Sequence, residues 1–374
     1  MREPIGYLRH FFLPPSETFI FTSMRSLTRY APRVFAIARR APDKHPWDDV
    51  TALKSLRFGW WESWLYRLTT WSPRYFRWAR TVKLLHAHMG YTGVYGLWAA
   101  KKLELPLITS FYGHDVSIGV SRDRFNPDYW HYAALRRRLF RRGDRFLVLS
   151  KHMQAAMVAQ GCPEEKIRVV PLGVNLARFD VRRPDTERNE RSFRVLMVGR
   201  EVEKKGFDDG LRACARAKEA GIDVKVTILG TDHPRKASLI ALGKELGLDV
   251  AWPDPKSPVP DAMARADVLL VPSKTTASGE QEGTPTVICE GSAARLPIVA
   301  TRHAGIPEQV EPGVTGLLAD ERDVDGLAAH LVALANDPAR REAFGIAGRL
   351  KMEHEYSLEA HTARLEAVYD EVLR

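Results

Sequence analysis

Residues 266–301 read ADVLLVPSKTTASGEQEGTPTVICEGSAARLPIVAT, and this stretch decides the fold. It begins and ends with short apolar runs, VLLV at 268–271 and PIVAT at 297–301, which are typical of buried strands. Between them, Gly283 and Pro285 interrupt any helix, whereas the run that starts at Thr286 can begin one. The order strand, turn, helix, strand predicts a parallel α/β sheet, in which ligands bind at the carboxyl ends of the strands.

Two carboxylates, Glu282 and Glu290, stand eight positions apart around the Gly-Thr-Pro turn of this stretch. A helix that begins at Thr286 would present backbone N–H groups and a positive dipole to an anion. The flanking carboxylates can accept hydrogen bonds from hydroxyl groups, so a sugar that carries a phosphate suits the pattern. An acidic loop followed by an ordinary helix has the same spacing, and the spacing alone leaves that alternative open.

A second candidate anion site is the segment VGREVEKKG at residues 198–206. Gly199 lets the backbone approach a ligand closely. Arg200 can bind a diphosphate through its planar fork, and Lys205 can bind it as a point charge. Lys204 is predicted to lie at the surface. The alternative for this segment is a solvated basic loop.

Together these motifs resemble the donor-binding region of retaining glycosyltransferases of family 4. The E-x7-E signature of that family matches Glu282 and Glu290, and its G-R-x(n)-K-G element matches Gly199, Arg200 and Lys205. The resemblance implies the GT-B fold, an α/β architecture of two Rossmann-like, doubly wound parallel-sheet domains that face a central cleft. It implies an acceptor-binding domain at 1–180, a donor-binding domain at 181–355, and a last helix, 356–374, that crosses back to the first domain.

The resemblance also implies roles for individual residues. Arg200 and Lys205 would hold the donor diphosphate and neutralise the leaving group, Glu282 would bind hydroxyls of the transferred sugar, and Glu290 would bind the ribose. The remaining donor-binding positions of the family pattern are Gly199, Gly283, Thr284, Pro285, Thr286 and Val287.

The first half of the chain contributes a histidine to the predicted site. His114 lies in Gly113-His114-Asp115 after a predicted strand, and this segment resembles the family's G-H-D element, whose histidine contacts the transferred sugar or the phosphate. Asp115 and Ser16, a predicted helix N-cap in the segment SETFI, are further candidates for the cleft. A lone buried histidine is usually structural, and that reading is the alternative for His114.

The function implied is transfer of a sugar, with retention, from a nucleotide-diphosphate sugar to a glycan, lipid-linked or small-molecule acceptor in polysaccharide or glycoconjugate biosynthesis. A sugar-nucleotide 2-epimerase has the same fold and is the first alternative. No cofactor and no metal are implied. Asp323-Val324-Asp325 is similar to a D-x-D metal-binding motif, but it lies at the start of a predicted helix, where it is expected to act as a cap. His86 and His88 could bind a metal, but the sequence shows no third ligand for them.

Composition limits the remaining possibilities. The 374 residues, 45% of them hydrophobic, are sufficient for two cores. The net charge of +10 comes from a basic first half, whereas the remainder is acidic. A non-enzymatic nucleic-acid-binding protein is the second alternative, but the chain has no RNP, KH or helix-turn-helix signature, and nucleic acid is not the predicted partner.

A membrane surface is the other anionic partner that the basic half would suit. The stretch from Phe58 to Arg80 mixes aromatic and arginine residues, and Arg136–Arg142 adds a second basic cluster, a composition typical of interfacial helices. No apolar stretch approaches the roughly 20 residues that a membrane span needs, and the three scattered cysteines indicate a reducing compartment. We therefore expect a cytoplasmic protein. Aromatic stripes also pack into cores and arginine runs also form solvated faces, so contact of these segments with the inner face of the membrane stays open. Donor base, sugar, acceptor, linkage and oligomeric state stay open.

Overall fold

In the computed structural model of the chain, the described residues are 2–12, 14, 17–118, 129–181 and 192–374. They form two compact units, one built from residues 1–173 with 358–374 and the other from residues 174–357. Each unit contains one parallel β-sheet with helices packed on both faces, so the predicted α/β class is confirmed. The strands are β1 (Glu3–Phe12), β2 (Tyr30–Arg39), β3 (Val50–Ala52), β4 (Leu85–His88), β5 (Leu107–Ser110), β6 (Arg145–Val148), β7 (Ile167–Val169), β8 (Phe193–Val198), β9 (Val224–Leu229), β10 (Asp249–Ala251), β11 (Val268–Val271), β12 (Ile298–Thr301) and β13 (Gly316–Ala319).

The helices of the described residues fill the connections between these strands. They are α1 (Thr18–Ser26), α2 (Gly59–Thr69), α3 (Pro73–Ala79), α4 (Gly90–Leu103), α5 (His114–Ser117), α6 (Trp130–Arg142), α7 (Lys151–Ala159), α8 (Phe207–Glu219), α9 (Lys236–Glu245), α10 (Val259–Ala264), α11 (Thr286–Ala293), α12 (Ile306–Gln309), α13 (Val324–Ala335), α14 (Pro338–Glu355) and α15 (Leu358–Leu373). Short 3₁₀ turns occur at Leu53–Ser55, Glu164–Lys166, Leu176–Phe179 and Glu203–Lys205.

Both sheets have the strand order of a doubly wound fold. The first runs β3-β2-β1-β4-β5-β6-β7 and the second β10-β9-β8-β11-β12-β13, with every neighbouring pair parallel. In the second sheet the chain starts at the centre with β8, moves outward to β10, and then returns to lay β11 against the other side of β8. The loops after β8 and β11 therefore leave in opposite directions, and a crevice for ligands forms at such a switch point.

Alternate side chains of the central strands enter two separate cores. Val195 and Met197 of β8 pack into one core of the second unit, and Leu196, which lies between them in sequence, packs into the other. In β11, Val268 packs into the same core as Val195, and Leu269 packs into the same core as Leu196. Because helices cover both faces, both sides of these strands are largely apolar: β11 is apolar throughout, which is why a continuous apolar run predicts it, and β8 has one charged residue, Arg194.

The last helix belongs to the first unit. In α15, the buried carboxylate of Glu366 accepts hydrogen bonds from the backbone N–H groups of Thr28 (2.6 Å) and Arg29 (2.9 Å), and from Nε of Arg29 (2.8 Å). Residues 174–180 differ from the boundary expected from the sequence, because they pack with the second unit. Val174 donates its N–H to the carbonyl of Tyr356 at 2.8 Å, and Phe179 enters a core of that unit.

Candidate active site

The predicted site residues of the second unit lie in loops at the carboxyl end of its sheet, on both sides of the switch point. The loop after β8 begins with Gly199 (φ +142°) and ends with Gly206 (φ +62°), both in backbone conformations that favour glycine. A Cβ atom on Gly206 would lie 1.8 Å from the carbonyl oxygen of Pro272, which follows β11. The two loops therefore approach each other so closely that only glycine fits at this position.

Lys205 and Glu282 meet across the switch point. The ammonium group of Lys205 lies 3.1 Å from Oε1 of Glu282, and both side chains are largely buried. Burial by itself would raise the pKa of Glu282, but the positive charge of Lys205, with a further contribution from Lys204, holds that pKa below its ordinary value. The Glu282 carboxylate is therefore ionised at neutral pH, next to a cation.

Lys204 is not at the surface, so that prediction is wrong. It is buried, and its ammonium group lies 2.7 Å from Oε1 of Glu280. Its carbonyl accepts the N–H of Lys274 at 2.9 Å, which ties the loop after β8 to the loop after β11. The sequence pattern could not distinguish the two neighbouring lysines by burial, because the partner of Lys204 is a distant residue.

Arg200 has a different environment from Lys205. Its side chain is exposed, and within the described part of the chain its guanidinium makes no hydrogen bond or ion pair. It lies directly after Gly199, at the carboxyl end of β8. The predicted role of Arg200 as a ligand of the diphosphate stays a prediction.

Helix α11 begins at Thr286, as predicted, directly after the Gly283–Pro285 turn. Pro285 is its N-cap and provides no side-chain hydrogen bond to the first turn. The Val287 side chain is buried in the core, so that residue can offer a ligand its backbone only. Burial raises the pKa of Glu290, one turn further along, although Arg178 and Lys205 act in the opposite direction.

Two residues that the sequence interpretation missed also meet this loop. His303, fully buried after β12, accepts the backbone N–H of Glu282 on Nε2 at 3.0 Å. Its Nδ1 lies 2.6 Å from Oε1 of Glu321, which follows β13. The position of both residues directly after a strand was the only signal that could have indicated them.

Comparison with known proteins places the chain in a family. The family model described as "Glycosyl transferases group 1" matches residues 179–351, and "Glycosyl transferase 4-like domain" matches residues 23–173. The chain is 33% identical to WcaL of Salmonella typhimurium, a protein named for colanic acid biosynthesis, over 75% of this chain and 68% of that protein. The chain belongs to glycosyltransferase family 4.

Further similarities agree with this family 4 membership. The amylovoran biosynthesis glycosyltransferase AmsK of Erwinia amylovora is 32% identical over 72% of this chain, and the match covers 65% of that protein, which is just under two thirds of its length. Among solved structures, Anabaena Alr3699/HepE in complex with UDP superposes with a TM-score of 0.79 at 17% identity, covering 99% of this chain and 100% of that one. That superposition shows the fold, and the predicted GT-B architecture is confirmed.

The family 4 G-H-D element lies in the first unit, after β5. His114 is exposed at the start of α5, with the ring of Tyr129 at a centroid distance of 6.1 Å. Asp115 does not face solvent. It is fully buried, and its carboxylate accepts the backbone N–H groups of Gly90 (2.8 Å), Tyr112 (2.8 Å) and Gly113 (3.1 Å). Asp115 therefore holds the loop that presents His114, and Ser16 lies outside the described residues.

His86 and His88 of this family 4 chain belong to a buried hydrogen-bond network. His86 bridges the hydroxyls of Tyr369 and Ser110, each at 2.7 Å, and Nδ1 of His88 lies 2.6 Å from the hydroxyl of Tyr112. Burial lowers the pKa of His86 to about 3 and that of His88 well below its ordinary value. Both rings are neutral at physiological pH and serve the packing of the first unit.

The described residues contain no group of three His, Cys, Asp or Glu side chains arranged to hold a metal ion. The Asp323 side chain accepts the N–H of Gly326 at 2.8 Å and caps α13 of this glycosyltransferase, as the sequence predicts. Nor does any described helix combine the length and the apolarity that crossing a bilayer takes.

Proposed function

We propose that this protein transfers a sugar, with retention of anomeric configuration, from a nucleotide-diphosphate sugar to a glycan or lipid-linked acceptor in exopolysaccharide biosynthesis. The observation that carries the proposal is the arrangement of Lys205 and Glu282, 3.1 Å apart across the switch point, with the start of α11 following Glu282 in the chain. A cation, a helix N-terminus and an ionised carboxylate together match the phosphate and hydroxyl groups of a sugar nucleotide.

The proposed reaction breaks the anomeric C–O bond while negative charge develops on the leaving diphosphate. Lys205, Arg200 and the dipole of α11 would stabilise that charge without a metal ion. Glu282 would hold hydroxyls of the transferred sugar, and Glu290 would hold the ribose. In a front-face route, the acceptor oxygen bonds to the anomeric carbon on the face that the diphosphate leaves. The departing diphosphate accepts the proton of the acceptor hydroxyl, so no protein carboxylate has to act as the nucleophile. His114 is proposed to contact the sugar or the phosphate, because the G-H-D histidine of the family does so.

The names of the similar proteins support the proposed pathway and donor class. AmsK and WcaL are named for amylovoran and colanic acid biosynthesis, which are both bacterial polysaccharides. Alr3699/HepE has been crystallised with UDP, with UDP and glucose, and with UDP-glucose. A nucleoside diphosphate sugar is accordingly the donor that we propose.

The donor can be identified by a thermal-shift panel of UDP, GDP, ADP and dTDP sugars. A ligand that binds only the folded state raises the melting temperature, so one nucleotide class should stabilise the second unit. Release of nucleoside diphosphate should then require an acceptor. Release without any acceptor, together with a change in the configuration of the sugar at C2, would instead indicate the 2-epimerase. No shift with any member of the panel would refute the proposed function.

The variant Lys205→Ala connects that panel to the proposed site. Losing a charge-assisted contact with the diphosphate should weaken binding of the identified nucleoside diphosphate about tenfold or more. Lys225→Ala is the matched control, because Lys225 pairs with Asp249 at 2.7 Å on the exposed edge of the sheet. If calorimetry gives the two variants equal affinities for the nucleoside diphosphate, Lys205 does not bind the donor.

The lipid-linked acceptor is supported by an aromatic surface on the first unit. Trp60 and Trp64 of α2 and Trp130 of α6 are 74%, 66% and 50% exposed. They line a cavity of about 980 Å³ together with Lys54 and Arg67. Exposed indole rings beside cations are typical of surfaces that bind the headgroup region of a membrane. We propose that this aromatic surface contacts an anionic bilayer in which the acceptor is anchored.

Co-sedimentation with vesicles tests the role of the aromatic surface. The protein should pellet with phosphatidylglycerol vesicles at low salt, and the double variant Trp60→Ala/Trp64→Ala should stay largely in the supernatant. The matched control is Ile346→Ala/Leu350→Ala, a pair with the same helical spacing on α14, each 49% exposed. If wild-type protein does not bind the vesicles, or if both double variants lose binding equally, the membrane role is wrong.

A further inference from the structure

The carboxylate of Glu282 lies in a long irregular segment, and two residues from neighbouring strand ends contribute, together with Lys204, to holding that segment in place. The segment runs from Pro272, directly after β11, to Pro285, directly before α11. Because it contains no helix or strand, its shape depends on the bonds it makes to surrounding groups. His303 binds it at Glu282, and Glu321 binds it at Thr275.

The hydrogen bonds define which ring nitrogen of His303 carries the proton. The backbone N–H of Glu282 can only donate, so Nε2 of His303, 3.0 Å away, must be the acceptor. The proton of the ring is therefore on Nδ1, which donates it to Oε1 of Glu321 at 2.6 Å. A fully buried ring with both nitrogens committed in this way has one orientation.

Glu321 in turn is held by a third residue, Thr275. The backbone N–H of Thr275 donates to Oε2 of Glu321 at 2.8 Å, and its hydroxyl donates to Oε1 at 3.0 Å. Burial would raise the pKa of Glu321, but the bonds from His303 and Thr275 lower it from its ordinary value, so the side chain is a carboxylate at neutral pH. Both of its oxygens are therefore acceptors.

We propose that Glu321 and His303 are positioning residues, which set the place of the Glu282 carboxylate through the bond to its backbone N–H. This inference rests on the proposed function, in which Glu282 binds the transferred sugar. Because the relay ends at the backbone of Glu282, it fixes the Cα atom from which the carboxylate reaches toward Lys205. Neither positioning residue has to touch the substrate.

An amide cannot replace the Glu321 carboxylate in this relay. Glutamine has the same shape but one donor end and one acceptor end. If its oxygen faces His303, its NH₂ group meets the N–H of Thr275. If its oxygen faces Thr275, its NH₂ group meets Nδ1 of His303, and the ring proton must move to Nε2, where it opposes the N–H of Glu282. Glu321→Gln therefore breaks one end of the relay without changing the volume of the side chain.

The test compares affinities for nucleoside diphosphates with and without the sugar, using UDP with UDP-glucose and GDP with GDP-mannose. The wild-type protein should bind one sugar nucleotide more tightly than the matching diphosphate, because Glu282 adds bonds to the sugar. In Glu321→Gln and in His303→Leu this advantage should fall about tenfold, while affinity for the diphosphate changes little. A loss of structure alone would weaken both ligands together.

The matched control is Tyr356→Phe, which removes the partly buried hydrogen bond from the Tyr356 hydroxyl to the carbonyl of Glu308, 3.1 Å in length, in the same unit. It should leave the advantage of the sugar nucleotide intact. An unchanged advantage in both relay variants would overturn the inference and leave the proposed function standing. If the wild-type protein binds neither of these diphosphates, nor ADP or dTDP, the proposed function fails, and the inference fails with it. His303→Leu decides the question if Glu321→Gln does not fold, and the reverse also holds.

Discussion

Glu282→Gln is expected to abolish sugar transfer, with a loss of at least about a hundredfold in turnover. The substitution keeps the shape of the side chain but replaces the carboxylate with a neutral amide. In the proposed reaction both carboxylate oxygens are available to accept hydrogen bonds from the sugar hydroxyls, whereas the amide has one acceptor oxygen. In the wild-type protein the Lys205 ammonium lies 3.1 Å from a carboxylate oxygen of Glu282, and the substitution removes that counter-charge. Affinity for the nucleoside diphosphate should therefore be unchanged or tighter, since Lys205 is then free to pair with phosphate. Release of nucleoside diphosphate and calorimetric binding measure the two effects separately.

The control for this prediction is Glu280→Gln, two residues earlier in the same loop. Glu280 pairs with Lys204 at 2.7 Å and is partly exposed, so its variant should retain transfer within about fivefold of wild type. Turnover by Glu282→Gln at the wild-type rate would contradict the assignment of Glu282. A parallel loss in both variants would mean that the loop needs its acidic residues for structure.

Gly206→Ala is expected to destabilise the second unit more than any other substitution considered, by about 4 kcal/mol or more in the free energy of unfolding. Alanine at φ +62° has an intrinsic conformational cost, and its Cβ would lie 1.8 Å from the carbonyl oxygen of Pro272. A backbone atom cannot move aside as the end of a side chain can, so the loops after β8 and β11 would have to separate. Urea denaturation of the purified variant measures the effect.

Gly221→Ala separates the steric cost from the conformational one. Gly221 has a φ of +92° in the same unit, but a Cβ there would meet nothing within 4 Å. Its variant should lose only the about 1–2 kcal/mol that a left-handed conformation costs an alanine. Equal destabilisation of the two variants would show that the contact with Pro272 does not matter.

Much of the fold could be predicted because its signals are local. The continuous apolar run at Val268–Val271 predicts a strand, and the structure has β11 at those residues. The edge strands β3 and β10 were not predicted, since three residues such as Val50–Ala52 are too short to show a period. The observed boundary between the units differs from the predicted one because the hydrogen bond from Val174 to Tyr356 joins distant parts of the chain, which a local pattern does not show.

The sequence by itself determined which peptides form the candidate site. Gly199 to Gly206 and Glu282 to Glu290 are continuous segments, in which glycine, proline and the apolar runs specify a strand end, a turn and a helix start through interactions between near neighbours.

Only the tertiary structure decided which of these groups meet. It paired Lys205 with Glu282, buried Lys204 against Glu280, and brought His303 and Glu321 to the same loop. These contacts join loops that follow different strands, and their geometry depends on the order of the strands in the sheet. The charge and type of individual residues do not specify the order of the strands, because that order results from packing helices on both faces of the sheet.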